Sequence, residues 1–355
     1  MPWKEREKRA SAALSDPVIQ NVAVCGAGAF GRNHLRIYRA LEQSGSPIRL
    51  SAIIEADISR AAALQSEWSV PVYPSVETCL AARERGELQL HAASICVPTV
   101  SHFAAAAACL RAGLDVLVEK PITATLEEAD RLIALSREHR RILQVGHLER
   151  FNPAVMAVQG LLNGPMFFEA HRLSIFSQRS LDVDVVLDLM IHDLDIVLNL
   201  AQSPVSQVHA VGLPILSSKV DIANVRIEFA SGCVANFTAS RVSTERVRKL
   251  RFFQPHQYIS IDYARQDLLA INVAAKAAAA ASFDALAGGL SLQKPQVQQG
   301  EPLRLEIESF LECLRTRQQP IVSGEDGRAA LALALEINTA IANHAVRAGL
   351  DRYSS

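Results

Sequence analysis

Over roughly the first 150 residues, short apolar runs alternate with stretches whose apolar positions recur at helical spacing. The runs VAVC (22–25), RLSAII (49–54), LHAASICV (90–97), DVLVE (115–119) and ILQV (142–145) are nearly continuous in apolar residues, which predicts strands covered on both faces. Between them the spacing predicts helices over 58–68, 101–112 and 125–139, and VPVYPS (70–75) reads as a short strand leading into a turn. Strands alternating with helices in this way imply a parallel sheet with right-handed crossovers, ending near Gly146.

Beyond Pro153 the texture changes. A helix over 185–200 is followed by VSQVHAVGL, ANVRIEF, SGCVANFTASRV, RKLRFF and YISIDY, where apolar and polar residues alternate between turn signals. That alternation predicts a large, mostly antiparallel open sheet. One face of it needs cover from helices or from another subunit, so a homodimer or homotetramer is expected to pair through this sheet. Helices over 304–317 and 326–347 are expected to close the second unit, and the alanine-rich 274–289 reads as a surface loop or short helix. The expected division is a flexible tail over 1–17, a first domain over 18–147 and a second, α+β domain over 148–355.

The turn after the first strand carries the first chemical signal. In GAGAFG, Gly26, Gly28 and Gly31 serve a sharp turn, the approach of a pyrophosphate to the backbone, and close packing of helix on strand. With Ala29 and Phe30 they open a helix whose free N–H groups and positive dipole end suit phosphates. The second strand ends in Glu55, where a carboxylate meets the adenosine ribose and repels a 2′-phosphate, so NAD is expected over NADP. Ligands of such sheets sit beyond the carboxyl ends of the strands, which makes Pro98, Thr99, His102, Glu119, Lys120, Pro121, His147 and Arg150 candidate site residues.

Composition narrows the classes. A formal net charge of −1 over 355 residues gives no field that recruits nucleic acid or an anionic membrane. The basic run Arg246, Arg248, Lys249, Arg251 alternates with apolar residues and reads as the wet face of a strand. The six cysteines are dispersed without a CxxC pair, as expected of reduced thiols in a cytoplasm. The uncharged stretch 88–110 is broken by Pro98, Thr99, Ser101 and His102, so no membrane insertion is expected there. The first 17 residues mix charges of both signs without an apolar core, unlike a secretory signal.

Lys120 stands at a strand end where packing does not need it, and an ammonium there stabilises alkoxide character as hydride leaves a carbinol carbon. In VLDLMIHDLDIVLNL, Asp188 and His192 are four apart, so they share one face of an apolar helix, with Asp195 a turn further on. His192 is the candidate general base, and Asp188 would stabilise its imidazolium or hold a substrate hydroxyl. A buried, mutually satisfied pair is the alternative. Metal ligation ranks low, because it needs further ligands and leaves the glycine turn and Lys120 unexplained. His102 reads equally as a helix cap or core residue. His147, Arg150 and Asn152, in GHLERFNP, sit at the domain junction, where Arg150 serves a substrate or an interdomain salt bridge.

The segments GAGAFGRNH (26–34), VPTVSH (97–102), EKP (119–121) and LDLMIHDLD (187–195) together resemble the glucose-fructose oxidoreductase/inositol dehydrogenase/MocA (Gfo/Idh/MocA) family, over nearly everything from Val18 onward. The resemblance implies an N-terminal Rossmann domain with a parallel sheet, and a C-terminal α+β domain with a large, mostly antiparallel open sheet. It also implies NAD(P)-dependent chemistry on sugars and polyols, with the catalytic lysine, aspartate and histidine at Lys120, Asp188 and His192. The family's glycines before the aspartate are replaced here by Val185, Val186 and Leu187. Within the family, GHLERFNPAV and RSLDVDVVLDLMIHDLDI most resemble the bacterial branch that oxidises UDP-N-acetylglucosamine at C3 for lipid A precursors. A nucleotide sugar of that kind needs a site for its diphosphate, for which Arg150, Arg172 and Arg179 are available, although an arginine on a strand face is more often simply solvated. The expectation is a cytoplasmic NAD-dependent dehydrogenase of a sugar or nucleotide sugar. The alternatives are another sugar or polyol of the inositol or glucose type, or a protein that senses NAD(H) without catalysis.

Overall fold

The computed structural model describes residues 19–176, 183–274 and 289–350. The expected tail, most of the alanine-rich segment and Arg179 lie outside the described residues. Six parallel strands form the first sheet: β1 (Gln20–Cys25), β2 (Ile48–Ile54), β3 (Val72–Tyr73), β4 (Ala92–Ile95), β5 (Asp115–Glu119) and β6 (Leu143–Gly146). Their order is β3-β2-β1-β4-β5-β6, so strand order reverses between β1 and β4 and opens a crevice there. Helices α1 (Gly31–Gln43), α2 (Ile58–Trp68), α3 (Val76–Glu84), α4 (His102–Arg111) and α5 (Leu126–Glu138) connect them. The sequence pattern left α3 unread, although Ser75 and Thr78 form a capping box at its start.

The second sheet has the order β14-β13-β12-β11-β7-β10-β9-β8. It contains β7 (Phe167–Ile175), β8 (Val205–Leu213), β9 (Ile222–Phe229), β10 (Val234–Ser243), β11 (Val247–Gln254), β12 (Gln257–Asp262), β13 (Asp267–Val273) and β14 (Leu290–Gln293). Every pairing is antiparallel except β7 with β10. One face is sealed by a core in which Phe168, Phe237, Leu250 and Phe252 meet Ile191, Leu194 and Val197. On the other face Phe167 stacks on Phe253 and Phe253 meets Tyr258 at a tilt, with ring centroids 5.7 and 5.2 Å apart.

The short helix α6 (Pro153–Val158) links the two sheets. The helix expected over 185–200 divides into a π-turn (Val186–Met190) and α7 (Ile191–Ala201). Asp184 stabilises this start by accepting the N–H groups of Val186 and Leu187 at 2.9 and 3.0 Å.

The last two helices were expected to close the second unit, and they do more. Helix α8 (Pro302–Thr316) buries Leu303, Ile307, Phe310 and Leu314 against Leu35, Tyr38 and Leu117, within the core of the first sheet. Helix α9 (Gly324–Ala348) packs on β6 and α5 at one end, and on β8 and α7 along its length. A Cβ on Gly327 would come within 2.7 Å of Val145, so α9 approaches β6 as only glycine permits. Helix α9 is long and apolar enough to cross a membrane, yet Ala330, Leu331, Leu333, Ala334 and Ile337 are buried inside the fold.

Candidate active site

The three glycines hold three different positions. Gly26 has φ +91°, and a Cβ there would strike the Cys96 carbonyl at 2.7 Å; one on Gly31 would lie 1.8 Å from the Gly26 carbonyl. Gly28 has nothing within 4 Å of its Cβ direction, so its backbone faces open space beside α1. Among the described residues no side chain caps α1, and Ala29 and Phe30 are exposed at its start. That combination leaves an uncovered helix N-terminus facing the strand-order reversal, where a dinucleotide pyrophosphate fits.

Glu55 is buried at the end of β2. Its Oε2 accepts the Ala27 N–H at 3.0 Å, and its Oε1 accepts the Asp57 N–H at 3.0 Å and Arg60 Nη2 at 3.1 Å. The carboxylate ties the glycine turn to the β2 end, and with about four lone-pair directions it keeps acceptor capacity beyond these three donors.

Pro98 is exposed and Thr99 half-buried at the open end of β4. His102 and Glu119 turn inward instead. The His102 ring lies between two carbonyls, Nδ1 2.8 Å from Pro121 O and Nε2 2.9 Å from Val97 O, so it braces the β4 end against the β5 end. Its burial lowers the tendency to protonate. Glu119 Oε1 accepts from His34 Nε2 at 2.9 Å, joining β5 to α1 beneath the glycine turn.

Lys120, which directly follows β5 and precedes a cis peptide to Pro121, is aimed at the π-turn. Its Nζ donates to the Asp188 carbonyl at 2.7 Å and lies 3.8 Å from Asp188 Oδ1. Burial lowers the Lys120 ammonium from its ordinary range, while Asp188 and Glu119 support the charged form. The widened turn removes the plain α-helical spacing expected between Asp188 and His192, but both still border Lys120. Burial first, and then the positive charges of Lys120 and Arg172, hold His192 well below the usual histidine range, so its ring is neutral near pH 7. His192 Nδ1 is buried without a hydrogen-bond partner among the described residues. His147 is buried close by, with neither ring nitrogen partnered among those residues, and burial followed by Lys120 pushes it down to about 3.

The arginines read as diphosphate ligands have internal partners. Arg172, buried on β7, sends Nε and Nη2 to Asp193 at 2.7 and 3.0 Å and Nη1 to Glu149 at 3.1 Å, beneath the Tyr263 ring. Arg150 Nη1 lies 3.3 Å from Asp195 Oδ1, and Nη2 donates to Ile321 O at 3.2 Å. Burial raises Asp195 to about 7, against the influence of Arg150. Asn152 caps α6 by accepting the Ala154 N–H at 3.2 Å and donates to the Tyr263 carbonyl at 3.0 Å. Asp193, Glu149 and Tyr263 were missed in the sequence because their importance lies only in meeting Arg172 across three separated elements. No group of three or more His, Cys, Asp or Glu side chains suited to a metal is present among the described residues.

What brings Lys120, Asp188 and His192 together is the junction of a parallel-sheet strand end with a helix start over the second sheet. An ammonium, a carboxylate and a neutral imidazole within reach of one another can together polarise a carbinol and take its proton.

Comparison with known proteins places the chain. Residues 20–147 match the model of the oxidoreductase family with an NAD-binding Rossmann fold, and 154–255 match the Gfo/Idh/MocA C-terminal domain. The UDP-N-acetylglucosamine 3-dehydrogenase of Acidithiobacillus ferrooxidans is 34% identical over 319 residues, covering 90% of this chain and 96% of that one. A solved structure of that enzyme superposes with a TM-score of 0.80 at 33% identity, covering 90% of this chain and 97% of its own. An inositol 2-dehydrogenase of Leifsonia xyli subsp. xyli is 32% identical over 195 residues, 53% of this chain and 55% of that one. A solved oxidoreductase from Agrobacterium radiobacter, in complex with NAD+, L-tartaric acid and magnesium, shares the fold with a TM-score of 0.78 at 15% identity, over 92% of this chain and 97% of its own. The chain belongs to the Gfo/Idh/MocA family of NAD-binding oxidoreductases.

Proposed function

We propose that this NAD-dependent oxidoreductase oxidises the C3 hydroxyl of UDP-N-acetylglucosamine. The observation that carries the reading is the 34% identity to a UDP-N-acetylglucosamine 3-dehydrogenase across 90% of the chain, whereas the inositol dehydrogenase likeness spans 53%. NAD, when bound, supplies the hydride acceptor; Gly26, Gly28, Ala29, Phe30, Gly31 and Glu55 would hold it, with Pro98 and Thr99 toward its nicotinamide end. His192, neutral and unpartnered at Nδ1, accepts the hydroxyl proton. Lys120 stabilises the developing alkoxide, and Asp188 steadies the ammonium and the substrate hydroxyl. Burial and nearby cations then favour release of the proton from His192, which readies the ring for another turnover.

The open face of the second sheet, with Phe167, Phe253 and Tyr258 clustered on it, suits pairing of two copies. All six cysteines are free, in keeping with a reducing cytoplasm. A single species at monomer mass in light scattering would overturn the pairing.

The test of the activity is incubation with UDP-N-acetylglucosamine and NAD, followed by NADH absorbance and identification of a 3-keto product. Formation of both is expected. No NADH with this substrate, but turnover with inositol or another sugar, would transfer the proposal to that polyol. Lys120→Ala should lose orders of magnitude in turnover while retaining NAD; retention of full turnover would remove Lys120 from the chemistry.

A further inference from the structure

We infer that Arg248 is the anion receptor of the substrate pocket and holds the diphosphate of the nucleotide sugar, an inference that rests on the proposed substrate class. The basic run on β11, which the sequence pattern reads as one wet face, is divided by the sheet. Arg251 turns to the open face and pairs with Glu169 at 2.7 Å. Lys249 stands opposite His171 on that same face. Arg248 has the parity of Leu250 and Phe252, both fully buried, so it projects from the face that carries α7 and the candidate site.

Its neighbours define what it can bind. In the register of β11 and β7, Arg248 lies directly opposite Arg172. Arg172 directs Nε, Nη1 and Nη2 to Asp193 and Glu149, so those carboxylates are already engaged. The Arg248 guanidinium has no hydrogen bond or ion pair among the described residues and remains exposed, at the start of β11 on the face that carries α7. Desolvation first, and then Arg172, weigh against its charged form, and Arg248 in turn is one of the cations that hold His192 neutral, so the guanidinium lies within electrostatic reach of both. Arg246, also exposed, adds a second positive charge close by. A planar donor fork with access to solvent, next to a catalytic opening and without an internal carboxylate of its own, matches a phosphate group. Arg150 and Arg172 cannot serve this purpose while they hold Asp195 and Asp193.

The experiment is titration of UDP into the NAD-loaded protein by calorimetry, with KM for UDP-N-acetylglucosamine measured alongside. Arg248→Ala should weaken UDP at least about tenfold and raise KM by a similar factor, because a charge-assisted contact is lost. Arg248→Lys should recover part of the affinity, since it restores the charge without the fork. Lys249→Ala, which removes one charge from the neighbouring position on the other face, should leave both values within about twofold, as expected for an exposed charge. NAD affinity, unchanged in each variant, reports that the fold is intact; if Arg248→Ala does not fold, Arg248→Gln replaces it. Wild-type UDP affinity in Arg248→Ala, with UDP-N-acetylglucosamine still oxidised, overturns the role of Arg248 and leaves the substrate standing. A wild-type protein that neither binds UDP nor oxidises UDP-N-acetylglucosamine overturns both.

Discussion

His147 offers a measurement of how dry the site is. Its ring is wholly buried, neither nitrogen has a partner among the described residues, and its protonation is displaced from 6.5 to about 3. In the unfolded chain the same imidazole titrates at its ordinary value, so below pH 6.5 the unfolded state binds the extra proton and folding stability falls with pH. The whole displacement corresponds to about 5 kcal/mol, lost between pH 6.5 and 3; at pH 5 about 2 kcal/mol is already gone. His147→Gln keeps a polar side chain of similar reach and abolishes this titration. Urea unfolding of both proteins at pH 7.5 and 5.0, followed by Trp68 fluorescence and by circular dichroism so that coincident transitions establish two-state behaviour, gives the difference directly. The wild type should lose about 2 kcal/mol more than the variant on going to pH 5.0. The subtraction removes other titrating groups, including Asp195, whose raised value acts in the opposite sense. An equal loss in the two proteins would show that His147 titrates as it does in water and that the pocket is wet.

Other outcomes follow from the same geometry. Gly31→Ala, with a Cβ 1.8 Å from a backbone carbonyl, should cost more than about 3 kcal/mol by thermal unfolding, whereas Gly28→Ala should change stability by less than about 0.5 kcal/mol and weaken NAD in fluorescence titration. Asp193→Ala leaves the buried Arg172 with Glu149 as its one remaining carboxylate among the described residues and should destabilise the fold by about 3 kcal/mol, read by urea denaturation. Glu55→Ala should narrow the preference for NAD over NADP in kcat/KM and, by releasing the Ala27 N–H, raise KM for both cofactors. Because His192 stays neutral well below pH 6.5, the acid limb of kcat/KM should fall beneath that value; a limb at 6.5 would show that another group is the base.

The parallel sheet was legible because strands covered on both faces must be apolar throughout, and β1, β2 and β5 are nearly so. The glycine turn was legible because two of its positions exclude any side chain. Strand β7, at the heart of the second sheet, was not: its buried face is Phe168, Ala170 and Arg172, too small and too polar to mark an alternating strand. Arg172 is admissible there only because Asp193 and Glu149 arrive from elsewhere in the chain. The π-turn was equally hidden, since Asp184 and its partner Asn338 are 154 residues apart. Lys120, Asp188 and His192 were singled out from placement and resemblance, and the fold brings them within reach of one another, whereas Arg248 was read onto the wet face with its neighbours, because a run of basic residues does not reveal which parity the sheet will cover.

Helix α8 is the last wall of the first sheet, although some 155 residues separate it from β6. The nucleotide-binding unit is therefore discontinuous in the gene. A fragment cut after Gly146 would expose Leu35, Tyr38 and Leu117 to water, and a chimera exchanging only the amino-terminal half would mate one protein's sheet with another's lid. Any transplant of cofactor specificity into or out of this scaffold has to carry 302–316 along with the strands.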